Sequence, residues 1–252
     1  MASIGPPATD EEQAFALAAE MEALLDRLET PAAKRTTHLP EQLSFLSMRE
    51  NFRVAVQLFE AGDDLSAALV VRAIFEESIR WAWVDEERDV RRLSFIAEAR
   101  HAHGLIAEAA TKQGLEANEY FGPMVEVILE GEVAAERFPK KIEQMLNWTT
   151  PELKGMLYLQ YRVLSQYTHS SLLAAVNTLP AAWGAREHVR RLPRFTRLTI
   201  LRNAVASAAM VTVHCQEGLH DSTAVADRFD LHAMSLAAAI AELVEDSAPG
   251  TA

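Results

Sequence analysis

The sequence predicts an all-α protein, a single bundle of about eight or nine helices. Three observations lead there. Gly and Pro number only ten each in 252 residues, while Ala, Leu, Glu and Arg are abundant, a composition that favours helices. No stretch shows the apolar–polar alternation of a half-buried strand, and no internal repeat is present. Helix start and stop signals then follow one another from Thr9 to about residue 246.

The elements can be justified in order. Residues 1–8 and 247–252 read as frayed ends around one helical domain, 9–246. Thr9 or Asp10 can cap a first helix that runs to Glu29 and stops before Pro31. Pro40 suits the first turn of a second helix, which Gly62 closes. Asp63 or Asp64 caps a third, "LSAALVVRAIFEESIRWAWV", and a fourth spans 88–113 and ends near Gly114. Shorter helices are expected over 118–130 and 139–148. "TTPEL" is a strong helix start, with Thr150 as cap and Pro151 at the first position. That helix should continue toward Leu179. Residues 180–193 form the best loop candidate, and two more helices follow near 194–218 and 222–246.

Half of the chain is hydrophobic, enough for a sizeable core. A net charge of −12 argues against nucleic-acid binding by the whole surface. The charge is uneven, however. Arg186, Arg190, Arg191, Arg194, Arg197 and Arg202 stand against one acid, Glu187. Such a strip can hold the phosphates of an RNA, or it can neutralise nearby acidic helices. Cys215 is the single cysteine, within an apolar run, so it reads as a small buried hydrophobe and a reducing, cytoplasmic compartment is expected. The N-terminus lacks the pattern of a signal peptide. No apolar run is expected to approach the roughly 20 residues that cross a bilayer, so no membrane partner is expected.

Two polar rows interrupt apolar faces. In "YRVLSQYTHS", Arg162 and His169 differ by only about 20° around a helix, and Tyr158 and Ser165 share their stripe. Leu172, Leu173 and Val176 continue it, which predicts that it faces other helices. In the third helix Arg72 and Glu76, four residues apart, sit among Leu65, Ala68, Leu69, Phe75, Ile79 and Trp83. A buried charge needs partners. Arg72 and Glu76 can serve one another, and Tyr158, Tyr161, Ser165 and His169 are the best candidates for their remaining capacity. The third helix and the one beginning at Pro151 should therefore pack side by side. A histidine near a carboxylate is a general acid or base around neutral pH, and an arginine beside it can hold a phosphate. The same groups could equally form a hydrogen-bonded network that fixes helix register.

The pairing of "RAIFE" (72–76) with "YRVLSQYTH" (161–169) resembles a bacterial domain family of unknown function. That family is similar to the HEPN superfamily of helical bundles, which includes ribonuclease toxins and phage-defence effectors. The resemblance covers about residues 40–180 and leaves the helices in 194–246 unexplained. It implies a HEPN-like core in which Arg162 contacts a scissile phosphate and His169 assists proton transfer. Arg72, Glu76, Tyr158 and Ser165 would complete that centre. It also implies metal-independent RNA cleavage with no cofactor, a homodimer whose two sites face one another, and an antitoxin or regulatory partner. One departure is Val163, where active members commonly carry a polar residue. A non-catalytic binding or regulatory module, with a structural or ligand-holding polar cluster, is the alternative.

A third reading is a di-iron oxidase, since Glu-x-x-His pairs on helices are ligands in such bundles. Glu98 with His101 and Glu217 with His220 have that spacing, and Glu76 and Glu126 could supply single ligands. Trp81 and Trp83 point to different sides of their helix, one toward a core and the other toward an interface.

Overall fold

The computed structural model of the protein describes residues 9–31, 39–114, 137–147, 149–168 and 191–215. Every regular element among them is helical: α1 (Asp10–Arg27), α2 (Leu39–Glu60), α3 (Asp64–Asp85), α4 (Arg88–Arg91), α5 (Leu93–Lys112), α6 (Ile142–Met145), α7 (Pro151–Thr168) and α8 (Arg194–Cys215). The expected helix over 118–130, the second half of the helix from Pro151, most of the 180–193 loop and the helix over 222–246 lie outside the described residues.

The start signals act as anticipated. Thr9 caps α1 through a reciprocal capping box with Glu12, whose carboxylate accepts from the Thr9 amide at 2.7 Å. The Asp63 side chain accepts from the Ser66 amide at 3.3 Å and caps α3. Thr150 Oγ1 accepts from the Leu153 amide at 3.4 Å above Pro151. Gly62 takes φ +76° in the turn between α2 and α3, a conformation that favours glycine. The element expected over 88–113 is divided at Arg92. The Phe95 amide bonds the Arg92 carbonyl three residues back, a tightened turn that separates α4 from α5. The Phe95 ring then stacks on Trp81 at 4.8 Å. The element expected over 139–148 contracts to the single turn of α6.

α8 lies at the centre, against α3, α2 and α1. It is buried nearly all round; Arg202, Ala206, Met210 and Val213, at helical spacing, form its partly open stripe. By length and composition alone α8 is long and apolar enough to cross a membrane. Its residues are mostly buried within the bundle, so packing accounts for the same composition. The core it completes is rich in large side chains, with Phe45, Phe52 and Phe59 of α2, Met21 and Leu25 of α1, and Ile74, Ile79 and Trp81 of α3 all fully enclosed. Each such residue contributes about 1.5–3 kcal/mol by leaving water.

A charged clasp ties four helices together at one end of this core. Asp64, fully buried at the start of α3, accepts from the Leu192 amide at 2.8 Å and from Arg197 Nε at 3.0 Å. Arg197 also donates to the Phe59 carbonyl at 2.7 Å, pairs with Glu11 of α1, and stacks 5.2 Å from the Phe15 ring centre. Burial pushes the Asp64 carboxyl above its ordinary range, and the Leu192 amide and Arg197 pull against that shift. Removing one partner of a buried pair leaves the other charge uncompensated. Asp64→Ala is therefore expected to lower unfolding stability by about 3–5 kcal/mol, read as a fall in the denaturant midpoint. A loss below about 1 kcal/mol, the size of a surface pair, would show that the clasp contributes little.

Candidate functional site

α3 is the element that gathers polar chemistry. Its two central turns place Arg72 and Glu76 toward α7, and Glu77 and Arg80 toward α2 and α5. Arg72 Nε donates to Glu76 Oε1 at 2.7 Å, with both side chains less than one quarter exposed. Across the helix interface, Arg72 Nη2 lies 3.5 Å from the Tyr161 hydroxyl, and the guanidinium sits 5.4 Å from the centre of the Tyr161 ring. Tyr158 stacks beside Tyr161 at 6.3 Å. The predicted packing of α3 on α7 is present, and Arg72, Glu76, Tyr158 and Tyr161 are brought together.

The rest of the row separates. α7 turns Leu164 and Ser165 inward, both at most 8 % exposed, whereas Arg162 is exposed. Arg162 follows Tyr161 by one residue, about 100° around the helix, so both cannot face α3. The large Tyr161 ring takes the inward place and the charged side chain takes the solvated one. The expectation that Arg162 lies within the buried stripe is corrected accordingly, and Leu159 is likewise 47 % exposed. Ser165 Oγ donates to the Tyr161 carbonyl at 2.7 Å, a bond within its own helix. His169 lies outside the described residues, as do Arg186, Arg190, Glu126, Glu217 and His220.

What remains of the metal reading is one of its two pairs. Glu98 is held by Arg137 through two bonds of 2.8 and 3.2 Å, and that hydrogen bonding pulls its carboxyl below the ordinary value. His101 is exposed. Glu76 is engaged by Arg72. Among the described residues no three side chains of metal-ligand type converge. Cys215 is buried, and burial with the nearby Glu77 and Glu41 charges pushes its thiol well up, so it behaves as a small hydrophobe. Trp81 is core, while Trp83 is partly exposed with Arg91 4.5 Å from its ring centre.

Two clusters escaped sequence reasoning. Glu77 of α3 accepts from the Ser44 hydroxyl of α2, and burial raises its carboxyl pKa. At the other end of α3, Asp85 Oδ2 meets His214 Nδ1 at 2.8 Å, and Asp85 Oδ1 meets Arg88 Nη1 at 2.9 Å. Arg88 also donates to the His214 carbonyl. Neither pair has a local sequence signature, because the partners come from helices distant along the chain. A second carboxylate directly after Glu76 was the available hint. No protein-family model, curated protein or solved structure matches the chain.

Two outcomes are expected. A double-mutant cycle on Arg72 and Glu76 should give a coupling of about 1 kcal/mol in unfolding stability; coupling indistinguishable from zero would mean the pair is only a surface contact. Burial opposes ionisation of Asp85, but the hydrogen bond and charge of His214, with Arg88, outweigh it and hold the carboxyl below its ordinary value. A depressed carboxylate contributes stability above its unfolded pKa, and loses it as pH falls through the folded one. Unfolding stability of Asp85→Asn should thus fall less steeply than that of the parent between about pH 4 and pH 2. Parallel profiles would refute the assignment.

Proposed function

We propose that the protein is a HEPN-like effector that acts on RNA, in a toxin–antitoxin or phage-defence setting, by metal-independent cleavage. The observation that supports this reading is the apposition of the Arg72–Glu76 pair with Tyr161, beside an exposed Arg162. A solvent-facing guanidinium next to a fixed polar surface suits a phosphate approaching from outside. Arg162 would contact the scissile phosphate, and His169 would move the proton between the attacking 2′-hydroxyl and the leaving 5′-oxygen. Tyr158 and Tyr161 offer ring faces on which a base can stack. Arg72 and Glu76 act as positioning residues, since each already engages the other. A homodimer would bring two such faces together.

The engagement of Arg72 by Glu76 and Tyr161 favours a second reading, a non-enzymatic binding or regulatory module with the cluster as scaffold. The test is cleavage of a broad RNA pool by purified protein in EDTA, beside Arg162→Ala and His169→Ala. The ribonuclease reading expects at least a hundredfold loss in either variant at matched folded fraction, in line with the loss of one acid–base group. No cleavage by the parent protein, or equal cleavage by both variants, would favour the module.

A further inference from the structure

A concave site adjoins the α3–α7 cluster and shares Glu76 with it. A cleft of about 360 Å³ opens between α2, α3 and α5. Leu39, Leu43, Met48, Ile74, Phe95 and Ile96 form its apolar walls. Its charged lining comes from α3 alone: Glu76, Glu77 and Arg80. Glu76 is committed to Arg72. Glu77 is held more loosely, although Trp81 and Arg80 also draw on its carboxylate. It takes the Ser44 hydroxyl, and its nearest cation, Arg80 Nη1, stands 3.6 Å away, beyond hydrogen-bond distance. Arg80 is turned toward an aromatic ring, with its guanidinium 5.3 Å from the centre of Phe138. A carboxylate offers about four acceptor sites, and burying it against apolar walls is costly until they are filled.

A second acid adjoins the site. Glu41 precedes the cleft residues Leu43 and Ser44 in α2 and is only 5 % exposed. Neither of its carboxylate oxygens has a hydrogen-bond partner among the described residues, and Arg92 stands 3.9 Å from one of them. The cleft therefore combines apolar walls with a carboxylate, Glu77, whose nearest cation lies beyond hydrogen-bond distance. Such a combination selects a ligand with an apolar body and a hydrogen-bonding cationic head.

We propose that this cleft binds a small organic monocation, a primary amine carrying an aromatic or branched apolar group, with its ammonium on Glu77. The apolar group lies against Leu43, Met48 and Phe95, and the ammonium donates to the Glu77 carboxylate, with the Ser44 oxygen as a further acceptor. The two sites share Glu76 as a neighbour, but the amine site does not rest on the RNA-directed reading.

The experiment is calorimetric titration of the full chain with phenethylamine, against phenethyl alcohol and phenylpropionate as probes of equal shape. Saturable binding is expected for the amine, at least tenfold tighter than for the alcohol, with the carboxylate weakest. Glu77→Gln should abolish that preference while leaving residual apolar binding. Ala73→Trp, at an exposed lining position of α3, should block all three probes without unfolding the helix, as checked by circular dichroism. Equal affinity for amine and alcohol, an amine preference that persists in Glu77→Gln, or no binding by any probe would each overturn the proposal.

Discussion

The constraint around which the described helices meet is a buried ion pair, Asp64 with Arg197. Four helices meet there: α1 through Glu11 and Phe15, α2 through the Phe59 carbonyl, α3 through Asp64, and α8 through Arg197 itself. Two charges taken out of water are stable only with good geometry and further hydrogen bonds. The clasp supplies both, since Asp64 also receives the Leu192 amide. The directional bonds of the guanidinium specify one register for α8 against α3.

That register has consequences along the whole of α3. With its first turn fixed, the central turns present Arg72 and Glu76 to α7, and Glu77 to α2. The last turn presents Asp85 to His214. One helix thus carries polar groups toward several neighbours while Val71, Ile74, Phe75 and Ile79 remain in the core. Consecutive carboxylates at Glu76 and Glu77 take different partners, Arg72 and Ser44, because neighbouring residues on a helix point about 100° apart, although both reach the cleft.

The same rotation explains why the candidate site came apart where it did. A spacing of seven places Arg162 and the residue at 169 on one stripe, but spacing alone leaves the direction of that stripe undetermined. In α7 the inward direction belongs to Tyr161, Leu164 and Ser165. A tyrosine buries more apolar area than an arginine and still offers a hydroxyl to Arg72, so it wins the contact. Arg162 is left with the solvent, where a guanidinium costs least. Likewise the basic run near α8 is not one surface. Arg197 turns inward to the clasp, and Arg194 is exposed.

By itself the sequence determined the helical class, the starts of α1, α2, α3 and α7, and the meeting of α3 with α7. Those follow from local chemistry: the Thr9 capping box, the Asp63 cap, Pro151 at a first turn, and positive φ at Gly62. The apolar pattern around Arg72 also announced that a charge was being drawn toward the interior. Only the tertiary structure decided which partner each charge received. Asp64 read as a cap and Arg197 as part of a basic strip, yet they join across 133 positions of the chain. Glu77 and Ser44, and Asp85 and His214, are likewise invisible until helices are packed. Local propensity acts over a few residues, whereas a buried charge is satisfied by whatever the fold brings within about 3 Å of it.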